Sequence, residues 1–335
     1  MHDLIIVGGG PAGVAAGIYA ARKKIKTLLV TDHFGGQSLI SADVQNWIGI
    51  KSISGYDLGK MMEEHLKAQE GIEIAEGDLV TKISPTLPAE ASVKAGSPIG
   101  PISPISPIGF RVETKNGKAL ETKTILMAAG SRRRKLSVPG EDKFTGKGVV
   151  YCSTCDAPLF QDKVTAVIGG GNAGFEAVID LLPYAKKIYL LERSERLKGD
   201  PLTQEKIKSN PKVEVILNAK TTEIFGAPPA GGFVTGLKYM DLRSRYIELK
   251  VDGVFVEIGE LPNSDVVKDL VQLNKAGEII VDHKTQKTSQ EGIWAAGDVC
   301  DVLYKQNNIS MGDAVKAVLN IYEYLNKSLP AQAGN

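Results

Sequence analysis

Residues 4–13 read Leu4-Ile5-Ile6-Val7-Gly8-Gly9-Gly10-Pro11-Ala12-Gly13, an apolar run that breaks into a glycine turn. An alanine-rich stretch from Val14 to about Ala21 follows, and a second apolar run, Thr27 to Thr31, ends at Asp32. Strand, glycine turn, helix, strand and terminal acid in that order form the βαβ unit that holds a dinucleotide. In it Gly8 permits the tight turn, Gly10 lets a pyrophosphate approach the backbone, and Gly13 lets helix pack on strand. The helix N-terminus offers its N–H groups to the phosphates, and Asp32 is placed for a ribose hydroxyl. A tight turn without a ligand is the bland alternative, and the complete context favours the ligand.

The pattern recurs. Val164 to Ile168 is a strand, Gly169-Gly170-Gly171-Asn172-Ala173-Gly174 a turn, Phe175 to Leu182 a helix, and Lys187 to Leu191 a strand ending at Glu192. Gly169, Gly171 and Gly174 repeat the roles of the first three glycines. Two fingerprints in one chain imply two dinucleotides, one a held flavin (FAD) and the other a diffusing hydride donor, NADH or NADPH. A carboxylate at Glu192 can accept two ribose hydroxyls and repels a 2′-phosphate, which favours NADH. Arg193 and Arg196 pull the other way, since either could turn toward a phosphate, and all three could equally be solvated loop charges.

Between the units, Thr124 to Ala128 reads as a strand ending in Ala129-Gly130, followed by the basic run Arg132-Arg133-Arg134-Lys135, a solvated hinge surface or, alternatively, a contact for nucleotide phosphate. From Val251 to Ile258 another apolar strand leads into Gly259. These two segments are expected to carry the chain out of the first domain and back. The expected fold is α/β, with two Rossmann-like dinucleotide-binding domains of three-layer ββα type, the second inserted in the first. Residues 1–130 and 250–335 would form the FAD-binding domain and 131–249 the NAD(P)-binding domain. The closely spaced prolines of Gly96 to Gly109 mark a low-complexity extended loop.

At 335 residues the chain has room for two cores. Its formal net charge of +1 gives no field toward nucleic acid or an acidic membrane surface. The opening residues lack the basic start and long apolar region of a signal peptide, and no stretch is long enough to span a bilayer. A cytoplasmic location is expected.

The chain has three cysteines, and Cys152 and Cys155 stand two residues apart in Val149-Val150-Tyr151-Cys152-Ser153-Thr154-Cys155-Asp156. In a reducing compartment such a pair is catalytic or metal-binding more often than structural. Zinc usually takes four ligands, and there is no second CxxC or nearby His. A redox pair can close a small disulfide ring, and Asp156 is placed to move the proton that thiolate chemistry requires. Two buried structural thiols are the alternative, which leaves Asp156 unexplained.

Further segments are Gly35-Gly36-Gln37, Gln45-Asn46-Trp47-Ile48-Gly49, Val138-Pro139-Gly140-Glu141-Asp142, Ala295-Ala296-Gly297-Asp298-Val299 and Tyr304-Lys305-Gln306. With the motifs above, they make the chain resemble the low-molecular-weight thioredoxin reductases. It is still more similar to the flavoprotein reductase of the alkyl hydroperoxide reductase system, whose N-terminal thioredoxin-like module this chain, opening on the first strand, is expected to lack. The resemblance implies that Gly8, Gly10, Gly13, Gln37, Asn46, Gly297, Asp298 and Gln306 contact FAD, with the Val299 amide beside Asp298. It implies that Cys155 lies nearest the flavin, Cys152 attacks the partner disulfide, and Asp156 is the general acid. The activity implied is that of a thioredoxin-disulfide reductase, in which electrons pass from NAD(P)H through FAD to Cys152–Cys155 and on to a thioredoxin- or glutaredoxin-like protein. A peroxiredoxin system served through a separate thioredoxin-like protein is an alternative, and a ferredoxin- or quinone-type flavoprotein reductase is another. A homodimer is also implied. Both the nicotinamide and the disulfide must reach one flavin, so the inserted domain is expected to rotate on segments near Gly130 to Arg134 and Lys250 to Gly253. Three positions depart from the family pattern: Ala157 replaces a usual glycine, Glu192-Arg193-Ser194 replaces a basic NADPH signature, and Phe175 follows Gly174 in place of a smaller, more polar pairing.

Overall fold

A computed structural model of the chain describes residues 1–41, 43–86, 109–226 and 232–327. The proline-rich stretch lies outside the described residues except for Gly109, which opens a strand. The chain divides into two compact units. The first holds Met1–Leu39, Tyr56–Arg132 and Leu261–Asn335; the second holds Ile40–Gly55 and Arg133–Glu260.

In the first unit, β1 (His2–Gly9), α1 (Pro11–Arg22) and β2 (Thr27–Phe34) form the expected βαβ fingerprint. They are followed by α2 (Gly55–Lys67), β3 (Ile72–Glu76), β4 (Val80–Thr86), β5 (Gly109–Thr114) and β6 (Ala119–Met127). The sheet runs β3-β2-β1-β6-β5-β4, with a late strand, Ile293–Ala295, parallel to β6. Strands β3, β2, β1 and β6 are parallel, and β5 and β4 turn back antiparallel. The parallel centre explains why Leu4, Ile5 and Ile6 are continuously apolar: a central strand covered on both faces needs apolar residues pointing both ways. Strand β2 does not end at Asp32 but continues through it to Phe34, after a register shift against β1 between Val7 and Gly9.

The crossover strand β7 (Ser131–Arg133) leads into the second unit. There α3 (Glu141–Phe144), β8 (Val149–Val150), α4 (Ser153–Asp156), β9 (Val164–Ile168), α5 (Asn172–Leu181) and β10 (Lys187–Glu192) come in turn. Helix α6 (Pro201–Lys208) and β11 (Val213–Leu217) precede an antiparallel sheet of β12 (Lys220–Gly226), β13 (Val234–Met240) and β14 (Tyr246–Lys250). Strand β15 (Gly253–Val256) completes a parallel sheet in the order β11-β10-β9-β15-β8. Val254 and Val256 face a core shared with Leu237 and Tyr239 of β13, while Phe255 faces one shared with Phe175 and Leu181 of α5. A helical layer, a parallel sheet and an antiparallel sheet therefore stack in the ββα order.

The second boundary moves from the expected 249–250 to 260–261. Strand β15 pairs with β8 and β9, so the apolar run expected to form the return path is part of the second unit's own sheet. The chain leaves through β16 (Glu260–Pro262), which pairs with β7. The hinge expected near Lys250 to Gly253 falls inside that sheet region, so the second crossover is at β16. Past β17 (Ile293–Ala295), α7 (Asn307–Lys327) packs on α1.

Candidate active site

The two glycine turns are near copies. Gly8 has φ +111° and a Cβ there would meet the Ala128 carbonyl at 2.4 Å; Gly169 has φ +126° and would meet that of Glu257 at 2.2 Å. A Cβ on Gly13 would stand 1.9 Å from the Gly8 oxygen, and one on Gly174 would stand 1.8 Å from the Gly169 oxygen. These four glycines serve the turn and the approach of helix to strand. The middle glycines differ. A Cβ on Gly10 would find its nearest neighbour at 3.8 Å, and one on Gly171 would find nothing within 4 Å. Both cap their helices with extended backbone, at φ −74° and −97°. Each loop thus leaves open space at the helix start, which suits a bound pyrophosphate.

Around the first loop, Gly36 comes within 3.2 Å of Gly10 measured from its ideal Cβ to the Gly10 Cα. Gln37 Nε2 donates to Ser131 Oγ at 3.0 Å. Gly297, at φ +79°, abuts Ala12 and Ser310, and Ser310 Oγ donates to Asp298 Oδ1 at 3.2 Å. Gln306 starts the turn into α7 by accepting the Ser310 N–H at its carbonyl. Val299 is fully buried in the core, so only its backbone can serve a ligand. Gly8, Gly10, Gly13, Gln37, Gly297, Asp298 and Gln306 all belong to the first unit. Asp32 is exposed on β2, 3.3 Å from His33 Nδ1. Asn46 belongs to the second unit, its amide 3.9 Å from Cys155 Sγ.

Around the second loop, Glu192 is buried. Its Oε2 accepts the Gly170 N–H at 2.7 Å, and its Oε1 accepts both the N–H (2.9 Å) and the hydroxyl of Ser194. Burial raises its pKa, but the bonds from Ser194 and Gly170 outweigh it and the net shift is downward, so the group is a carboxylate. The expectation that it accepts two ribose hydroxyls needs correction. Three of its roughly four lone-pair sites are taken, which leaves room for one. Arg193 is exposed on the same loop. Phe175 packs in the core, where its ring sits against Gly199, so this departure from the family pattern is a packing feature.

Cys152 and Cys155 form a disulfide with Cα atoms 5.3 Å apart, both half-buried at the start and within α4. The two residues between them are tied down: Ser153 Oγ and Thr154 Oγ1 donate to Asp180 Oδ2 of α5 at 2.8 and 3.2 Å. Asp156 is buried, and its pKa rises to about 7, chiefly by burial; Arg133 opposes the shift and Asp43 adds to it. A carboxyl half-protonated at neutral pH suits proton transfer to and from a thiolate. Arg133, expected to be solvated hinge surface, is instead ion-paired with Glu260. Ala157 has φ −53° and ψ −40°, ordinary helical backbone, so the absent glycine leaves the turn unaltered. Cys300 is buried, and burial pushes its thiol well above the usual range.

A family model for pyridine nucleotide-disulphide oxidoreductases matches residues 2–318. The chain belongs to the pyridine nucleotide-disulphide oxidoreductase family. It is 40% identical over 325 residues to the F component of alkyl hydroperoxide reductase from Escherichia coli K12, covering 97% of this chain and 58% of that protein. The chain therefore spans well under two thirds of the length of such curated relatives. The thioredoxin reductase structure from Streptococcus pyogenes MGAS5005 superposes with a TM-score of 0.84 at 31% identity, covering 98% of this chain and 99% of that one. That from Giardia duodenalis gives 0.83 at 27%, covering 97% and 99%. The family uses FAD and NAD(P)H, and the two open glycine loops are the sites in this chain that fit dinucleotides.

Among the described residues, Asp180, which anchors the Cys152–Cys155 segment, Asp43, whose charge reaches Asp156, and Glu257, with a buried unpartnered oxygen, belong to no sequence motif noted above. The isolated carboxyl of Glu257 inside Val254-Phe255-Val256-Glu257-Ile258 is the one signal that sequence offers for them.

Proposed function

We propose that the chain is an FAD-dependent NAD(P)H:disulfide oxidoreductase of the thioredoxin reductase type, with FAD in the first unit, NAD(P)H in the second and Cys152–Cys155 as the redox disulfide. The observation that carries this reading is the Cys152–Cys155 disulfide with Asp156 buried beside it, in a chain that holds two open glycine loops. NAD(P)H would supply a hydride and FAD would relay its electron pair to the disulfide.

In the reduced state, the Cys152 thiolate attacks a sulfur of the partner's disulfide, forming a mixed disulfide and releasing a partner thiolate. Asp156 gives that thiolate its proton. Cys155 then attacks Cys152, which re-forms the internal disulfide and frees the second partner thiolate. Asp180 keeps the segment between the cysteines in place through Ser153 and Thr154. The Glu192 carboxylate favours NADH, since its charge repels a 2′-phosphate. Gly8, Gly10, Gly13, Gln37, Gly297, Asp298, Gln306 and the Val299 amide would hold FAD; Gly169, Gly171, Gly174, Glu192 and Arg193 would hold the pyridine nucleotide.

The partner is a thioredoxin-like or glutaredoxin-like protein, and the enzyme works as a cytoplasmic homodimer; the family resemblance supports both, and no helix among the described residues is long and apolar enough to cross a membrane. A second reading, supported by the 40% identity to the F component of alkyl hydroperoxide reductase, is reduction of a peroxiredoxin through a separate thioredoxin-like protein. Anaerobic reduction of the FAD-loaded protein with NADH and NADPH in parallel, followed by thioredoxin-like disulfide substrates, tests the proposal. NADH is expected to bleach the flavin and support disulfide reduction that C155S abolishes. Disulfide reduction that survives in C155S would contradict it.

A further inference from the structure

The pyridine nucleotide unit contains a carboxyl to which neither the family motifs nor the redox pair gives a task. In the sheet β11-β10-β9-β15-β8, the chain proceeds from β9 through β10 to β11 on one side, while β15 and β8 lie on the other. The direction of strand order reverses between β9 and β15, and a dinucleotide lies across such a crevice at the carboxyl ends of the strands. Glu192, at the end of β10, marks the adenosine side. The glycine loop after β9 marks the pyrophosphate. The nicotinamide half then extends over the end of β15.

Glu257 is the first residue beyond β15. Its N–H donates to the Ile168 carbonyl at 2.8 Å, and its own carbonyl lies 2.2 Å from where a Gly169 Cβ would be. Side chains alternate along a strand. Val254 and Val256 face the antiparallel layer and Phe255 faces α5, so Glu257 follows Phe255 on the α5 side. The charges that reach it are those of Arg133 on β7, Glu260 on β16, and Asp180 and Glu176 on α5. Its Oε1 is buried with no hydrogen-bond partner. An unsatisfied polar atom of this kind is costly in a finished core and is expected where a ligand completes the site. A pyrophosphate would add negative charge near a carboxyl that already feels Glu260, Asp180 and Glu176, so a neutral acid is the form compatible with binding.

We infer that Glu257 is a nicotinamide-binding residue whose protonated carboxyl donates a hydrogen bond to the carboxamide, so that pyridine nucleotide binding weakens when the residue ionises. Burial holds that proton to about pH 8; Arg133 opposes the shift, while Glu260, Asp180 and Glu176 add to it. The inference rests on the second unit binding NAD(P)H as proposed above.

The test is isothermal titration of the full FAD-loaded chain with 1,4,5,6-tetrahydro-NAD, whose ring keeps the carboxamide but transfers no hydride, from about pH 6.5 to 9.5. One proton lost near pH 8 predicts an affinity about tenfold weaker at about pH 9 than at about pH 7. E257Q, which keeps a donor and cannot ionise, is expected to bind at both pH values about as well as the wild type at low pH. E257A is expected to bind weakly throughout. A wild-type affinity without pH dependence, or the same slope in E257Q, overturns the inference alone. No binding at any pH overturns it together with the assignment of the second unit to a pyridine nucleotide.

Discussion

Asp156 and Glu192 are two buried carboxyl groups whose pKa values the same chain shifts in opposite directions. Glu192 is buried but accepts three hydrogen bonds, so it stays ionised. For Asp156 burial dominates, and its pKa climbs from 3.8 to about 7. The raised pKa means that the acid form is present below about pH 7 and is lost as pH rises through it. In the proposed mechanism its share of proton delivery to the partner thiolate is therefore expected to fall with rising pH. In D156N the rate of partner-disulfide reduction is expected to drop about 10²-fold and to lose the inflection near pH 7. Stopped-flow measurement of each half-reaction checks this, since flavin reduction by NADH should be unchanged. At this scale the sequence is partly legible. Cys152, Cys155 and Asp156 stand together in it and need no fold to be noticed. Asp43, Arg133 and Asp180 come from distant segments, and only folding brings their charges and hydrogen bonds to the pair.

The glycine loops separate what an element needs for folding from what it offers a ligand. Gly174 is required by packing, because a Cβ would lie 1.8 Å from the Gly169 oxygen. Gly171 has open space before it. G174A is expected to destabilise the second unit by about 1–3 kcal/mol, the usual cost of overpacking. G171A is expected to leave stability unchanged and to raise KM for the pyridine nucleotide. Thermal melts and NADH saturation curves on both variants distinguish the two roles. Both fingerprints are legible because they combine a glycine signature with apolar runs that only central parallel strands require. The return boundary is not, since β15 and the Ile258-Gly259 connection form one nearly unbroken apolar stretch. Pairing with β8 and β9 assigns it, and pairing is a property of two strands.

At the scale of the whole molecule, the proposed function sets a stoichiometry for two dinucleotide sites and one disulfide. A bound flavin takes up one electron pair and the Cys152–Cys155 disulfide takes up another. The duplicated glycine geometry supports two cofactors, and the disulfide supplies the second acceptor. The most direct measurement is an anaerobic titration of the FAD-loaded chain with a two-electron reductant, following flavin absorbance and free thiols. Full reduction of the wild type should consume two equivalents per flavin and release two thiols, and C155S should consume one. If the wild type is fully reduced by a single equivalent with no new thiols, Cys152 and Cys155 are not the redox pair of this enzyme.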